Sequence, residues 1–296
     1  MELSNGVRRV HGKISGKNWL EDKNGHRITD KHNRLIYGGC KEGPYIPVYV
    51  GISGAAYLFH EKSDKILIKS ENGFIVTKIS ESLYSVYNKD ENSNWKYVLY
   101  DAEGNIVLSN MDSVSSKISC GLVAVEKNGK WGYIDEKGNW VIQPLWPYAE
   151  SFNESGYAVV RFKGDTSKYA IINEVGTYTC TPIECDLLKS ITDTTFLIQK
   201  GEKKGVVDEK GKFILPYNLY SDIIDVDGYY KVKSYQGTYG LYDNTGKEIF
   251  ECIYPQIIEM DEKFMVQDVG KKEHIKTVSK QKQNWYKEWK LQLPLF

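Results

Sequence analysis

GYIDEKGNWV, residues 132–141, returns as GVVDEKGKFI from Gly205 and as GLYDNTGKEI from Gly240. In each copy an Asp stands three places before a Gly, with apolar and polar residues alternating on either side. This is the pattern of a β-hairpin. The Asp carboxylate accepts from backbone N–H groups two or three residues on, and the Gly supplies the positive φ of a turn closed by a bulge. Weaker copies extend the series as LEDKNGHRI at 20–28, YLFHEKSDKI at 57–66, YVLYDAEGNIV at 97–107 and AIINEVGTY at 170–178. The turn positions are then Gly25, Ser63, Gly104, Gly138, Gly176, Gly211 and Gly246, spaced by 34 to 41 residues. Periods of that length belong to solenoids and propellers.

A second landmark keeps the same register. Alternating or aromatic-rich runs begin at Tyr45, Leu83, Leu122, Tyr157, Phe196, Tyr229 and Phe264, each 18 to 20 residues past a turn. Each unit thus offers three strands and a short fourth, and Pro144, Pro182, Pro216 and Pro255 are placed to end the second strand and block edge pairing. Val7 to Ile14 reads as the last strand of a unit whose beginning is missing, and the chain from His274 as a hairpin without its third strand. One unit split between residues 1–17 and 271–296 therefore brings the count to eight. Closing a ring by pairing terminal strands needs such a split. The sequence predicts one all-β domain over residues 1–296, a β-propeller of seven to eight units; the alternative is an open β-solenoid whose end fragments are caps.

Composition supports the strands and narrows the partners. The 296 residues are 41% hydrophobic, enough for a core, and 22 Tyr, 7 Trp and 26 Gly against 8 Pro favour short strands joined by glycine turns. With 39 basic and 39 acidic residues the net charge is zero, so no global field draws the chain to nucleic acid or a membrane. Met1 to Ile14 has no apolar run of signal-peptide length, and the expected location is cytoplasmic. The five cysteines show no CxxC spacing; Cys180 and Cys185 are close enough for a disulfide or are two small strand residues.

The stretch Gly129 to Phe162, GKWGYIDEKGNWVIQPLWPYAESFNESGYAVVRF, resembles the WG repeat, also called the KWG repeat, of bacterial proteins. Lys130, Trp131, Gly132, Asp135, Gly138, Ile142, Pro144, Phe152, Gly156, Ala158 and Val159 carry the resemblance. The later units keep Asp208 with Gly211 and Asp243 with Gly246 but replace the Trp by Lys204 and Tyr239. The resemblance implies a repeat scaffold with no family-wide catalytic residue.

Catalytic and metal chemistry find little support. His11, His26, His32, His60 and His274 fall in no motif, and His60 occupies the Asp place of its turn. His26, Asp30 and His32 have a spacing that suits neither a helix nor a strand pair. The turn carboxylates Asp22, Asp101, Asp135, Asp208 and Asp243 supply about one carboxylate per turn, where calcium needs several oxygens. YGGCKEGP at 37–44 lacks the Lys-Ser or Lys-Thr of a phosphate loop. No enzyme, metal or cofactor is expected.

Binding is better represented. Trp140 and Trp146 join Trp131 in one unit and are either surplus anchors for a partner or inter-blade core. From Lys271 to Phe296 seven lysines, including Lys280 and Lys282, face two glutamates and alternate with Trp285, Tyr286 and Trp289. Such a segment suits an acidic protein or nucleic acid, or is a solvated outer strand guarded by lysines. The reading is a non-enzymatic scaffold that binds another protein through a loop face. A glycan- or small-molecule-binding propeller with Trp and Tyr platforms is the alternative, and nucleic-acid binding through the basic segment a third.

Overall fold

A computed structural model describes residues 8–11, 18–21, 24–27, 36–38, 42–50, 56–60, 65–70, 74–90, 92–267 and 275–280. Ser63, His32, His274, Asp22, Asp30, Lys282, Trp285 and Trp289 lie outside them, as does much of the proposed split unit. Among the described residues every regular element is a strand. The chain divides into two compact units, Met1–Thr195 with Glu209–Gly211, and Phe196–Asp208 with Lys212–Phe296.

The first unit is a succession of antiparallel meanders. Arg8–His11 pairs with Asn18–Glu21. Ile36–Gly38, Tyr45–Val50, Ala56–His60 and Lys65–Ser70 form a four-stranded sheet in chain order. Ile75–Lys78, Leu83–Lys89, Trp95–Asp101 and Ile106–Met111 form the next, and Ser113–Val114, Val123–Lys127, Lys130–Ile134 and Trp140–Trp146 the one after. Tyr157–Arg161, Lys168–Asn173 and Ile183–Glu184 follow, with a bridge from Ala149 to Val160 supplying an inner edge. The second unit holds the pair Lys203–Asp208 and Phe213–Tyr220, the four-stranded sheet Asp222–Val226, Tyr229–Lys233, Tyr239–Asp243 and Glu248–Tyr254, and the three strands Ile258–Glu259, Lys263–Gln267 and Ile275–Ser279. A four-stranded meander of this kind is the blade of a β-propeller.

The core lies in layers between successive sheets. Strand Val123–Lys127 shows why: Val123 and Val125 pack back against Leu83 and Leu99, whereas Leu122 and Ala124 pack forward against Phe152, Ala158 and Val160. A period of two sends alternate side chains to opposite faces, so a strand apolar on both faces must be covered on both. In the second unit Tyr229, Leu241 and Phe250 meet Phe264 and Val266 across the same kind of layer.

The turns have the predicted chemistry. Asp135 Oδ1 accepts from the N–H groups of Lys137 (2.9 Å) and Asn139 (2.8 Å), and Gly138 N–H donates to the Asp135 carbonyl at 3.0 Å. Gly138 has φ +80°, and Gly25, Gly104, Gly176, Gly211 and Gly246 are also positive. Each turn then seats on the preceding sheet: a β-carbon on Gly138 would meet Val107, on Gly176 Ile142, on Gly211 Cys180 and on Gly246 Ile214. Those four residues lie three or four places past the previous turn glycine, so one landmark positions the next.

One expectation changes. Pro144 and Pro216 do not end their strands but lie inside Trp140–Trp146 and Phe213–Tyr220, in bulges after which pairing resumes. A bulged residue owes no ladder hydrogen bond, so proline costs nothing there. Cys180 and Cys185 are not joined by a disulfide, and Cys185 is buried.

Candidate functional site

The signature residues are built for packing. Trp131 lies opposite Trp146 in register and Tyr133 opposite Ile142, so four residues of the outer strand span two of its neighbour. The extra backbone presses on Gly132, where a β-carbon would stand 2.5 Å from the Ile142 carbonyl oxygen. Gly205 and Gly240 face the same crowding, from Leu215 and Tyr217 and from Cys252. Val98 holds the equivalent place three residues before Asp101, and there only three residues, Leu108 to Met111, span the two from Leu99 to Tyr97. The wide bulge excludes a side chain and the narrow one admits it.

A different cluster is in excess of these needs. Antiparallel register sets Ile75 opposite Tyr87, Tyr87 opposite Tyr97, and Lys89 opposite Trp95. The Tyr87 ring lies 4.5 Å from that of Tyr97 and stacks on that of Trp95, centroids 5.0 Å apart and planes 26° apart. Lys89 Nζ stands 5.8 Å from the Trp95 ring centre. Tyr97 is anchored against the inter-sheet core, and burial raises the pKa of its hydroxyl. The stack therefore runs from the core outward and ends on a Trp that is 39% exposed, and Ile75, across from Tyr87, is 62% exposed. The hairpin that carries it is closed by Asp90, whose Oδ1 accepts from Asn92 and Asn94 N–H, with Ser93 at φ +64° in the place usually held by Gly. Each stacked pair contributes about 0.5–1.5 kcal/mol beyond burial, so the rings are ordered before any partner arrives.

The residues that give Gly132 its crowded neighbour also fall in a recognised sequence repeat. A family model described as the WG containing repeat matches residues 99–131, 131–165 and 239–264. The chain carries WG-containing repeats. The match from 131 to 165 spans the last two strands of one sheet and the start of the next, and it contains Tyr133, Ile142, Trp146, Phe152, Ala158 and Val160 of a single core layer. The sequence repeat is thus the packing unit between sheets and is offset from the sheet itself.

Solved structures similar to this chain include a eukaryotic initiation factor (11% identity, 88% of this chain and 77% of that one, TM-score 0.44). Kluyveromyces lactis Hsv2 gives 8% identity, 76% and 86% coverage and TM-score 0.40. Saccharomyces cerevisiae Sqt1 gives 10% identity, 90% coverage of each chain and TM-score 0.35. No curated protein matches the sequence.

The structure separates the residues singled out from sequence. Trp146 is no surface anchor: it is 1% exposed in the core, and its Nε1 donates to the Tyr178 hydroxyl at 2.9 Å. Trp140 is half-buried against the layer containing Leu99, Val123 and Ile134. Trp131 packs against the layer of Tyr133 and Phe152. Lys280 is no free cation either; its Nζ pairs with Asp227 (2.6 Å) and Glu259 (3.1 Å) and lies 4.9 Å from the Phe264 ring centre. Lys276 donates to the Tyr254 hydroxyl at 3.0 Å. Both lysines hold the last described strand to its own unit. His60 is fully buried, its Nε2 3.0 Å from the Ala102 carbonyl and its ring 5.0 Å from Tyr45. Asp101, Asp135, Asp208 and Asp243 all accept from backbone N–H groups of their own turns.

Trp95, Tyr87 and Tyr97 were not singled out from sequence. Tyr97 fills the place of the signature Trp, four residues before Asp101, and so reads as an ordinary repeat residue. The available signal was Trp95 two places earlier, where the strongest unit has Gly129.

Proposed function

We propose that this chain is a non-enzymatic interaction module that holds another protein on the sheet end bearing Trp95. The observation that carries the reading is the outward stack of Tyr97, Tyr87 and Trp95, rigid before binding and ending on exposed apolar surface. Exposed, pre-ordered Trp and Tyr are the residues on which interface energy concentrates. The most regular polar groups of the repeat, the Asp carboxylates, are engaged in closing turns, which suits a scaffold. Among the described residues the stack occurs at one sheet, whereas a glycan-binding array calls for equivalent platforms on several.

The test is affinity capture with the tagged full chain and with Trp95→Ala, both shown to be folded by circular dichroism and melting temperature. A stoichiometric protein captured by the natural chain and lost from the variant is expected. Capture unchanged by Trp95→Ala overturns the site. Trp95-dependent binding to a glycan array, with no captured protein, replaces the partner by a sugar.

A further inference from the structure

We propose that Arg161 is a receptor for a single carboxylate, at a site distinct from the Trp95 stack. Arg161 ends strand Tyr157–Arg161, with its N–H donating to the Tyr148 carbonyl at 3.0 Å and its α-carbon opposite Tyr169 in register. Three consecutive backbones thus align Tyr148, Arg161 and Tyr169 in one row. The guanidinium lies over the buried Tyr169 ring, 5.1 Å from its centre, and Nη2 donates to the Tyr169 hydroxyl at 2.6 Å. That contact fixes the plane of the guanidinium.

The charge so fixed has no counter-ion among the described residues. Arg161 takes part in none of their salt bridges, and its Nε is buried without a hydrogen-bond acceptor. Neighbouring charges are already committed. Lys168 pairs with Asp165 at 3.0 Å, and Glu150 accepts from the Tyr148 hydroxyl at 3.3 Å and from Ser190 N–H. A half-buried cation with one acceptor for its five donors is under-satisfied, and charged groups in such places are paired in stable structures.

The residue type points the same way. The sequence has five arginines, at 8, 9, 27, 34 and 161, so from residue 35 onward every cationic side chain except this one is lysine. Lysine serves wherever a point charge suffices; the planar fork of arginine matches the two oxygens of a carboxylate. The site supplies one positive charge, and Glu150 lies on the same inner segment as Tyr148. A phosphate carrying nearly two negative charges would be only half neutralised there, whereas a monoanionic carboxylate is matched. Tyr148, 40% exposed, offers an apolar wall for the methylene stem that carries it.

Two sources present that group, a glutamate side chain of a protein and a free small acid. The test is a titration of the ¹³C,¹⁵N-labelled full chain, following the Arg161 side-chain Nε–H resonance, assigned through its side-chain carbons to the Arg161 backbone amide. The probes are N-acetylglutamate α-amide, N-acetylglutamine α-amide and a decamer of glutamate, each with sodium chloride matched. The resonance should move saturably with the acid and the decamer and not with the glutamine probe. Arg161→Lys should weaken decamer binding by about tenfold, the loss expected for one charge-assisted hydrogen-bonded pair. Decamer affinity well above that of the single acid identifies a protein side chain, and equal affinity a small acid. No shift, or an equal shift with the glutamine probe or with salt alone, overturns the proposal, and this titration of the natural chain holds even if the lysine variant fails to fold.

Discussion

A β-carbon on Gly132 would stand 2.5 Å from the carbonyl oxygen of Ile142 and 2.7 Å from the nitrogen of Pro144. Both neighbours are backbone, so neither yields by changing a rotamer. The glycine is required by close approach, and Gly132→Ala should cost about 1–3 kcal/mol through overpacking. Val98, beside the narrower bulge, is half-buried against the layer of Tyr84 and Tyr100, so Val98→Gly should also destabilise, by lost packing. Urea denaturation of the two variants checks the pair. Gly132→Ala at natural stability would sink the bulge explanation.

This contrast also marks what the sequence made legible. The Asp and Gly of DEKG act within five residues, so their turn is readable from the local pattern, and Gly138 adopts the expected positive φ. The layered core follows from strands apolar on both faces. The bulge depends on how many residues of one strand oppose two of another, which no local pattern states, so Pro144 read as a terminator. Trp146 and Trp95 fail for a related reason. Each is a Trp near a strand end, and only register separates the one opposite Trp131 in the core from the one opposite Lys89 at the surface.

The turn carboxylates make stability sensitive to acid. Desolvation of Asp135 opposes its charge, but hydrogen bonds from the Asn139 side chain and from backbone N–H groups of Asn139 and Lys137 outweigh it, and its pKa falls below the ordinary 3.8. Asp101 and Asp243 are lowered in the same way. A carboxylate with a depressed folded pKa contributes fully above its unfolded value and loses that contribution as pH falls through the folded one. The melting temperature should therefore drop as pH is lowered below about 4. Asn173 closes the equivalent turn with its amide oxygen, at 2.9 Å from Thr177 N, so Asp135→Asn should keep the turn. It should melt lower than the natural chain at neutral pH, by less than Asp135→Ala, and show a shallower acid limb; an unchanged limb would count against the turn as its source.

Glu150 pulls in the opposite direction. Burial raises its pKa above the ordinary 4.5, even though the Tyr148 hydroxyl, Ser190 N–H and the charge of Lys189 all favour the ionised form. An acid whose folded pKa is raised holds its proton more tightly when folded, so its effect is most favourable below the unfolded value and is lost as pH rises through the folded one. At neutral pH the buried carboxylate is a standing cost. Glu150→Gln keeps an oxygen to accept from Tyr148 and Ser190 and removes that charge. The variant should melt above the natural chain at pH of about 7, and the gap should close as both are taken below about pH 4, where the natural side chain is protonated. Differential scanning calorimetry of the two chains across that range reads the gap directly. A variant that melts below the natural chain at neutral pH would show that the ionised Glu150 is stabilised by contacts stronger than its burial penalty.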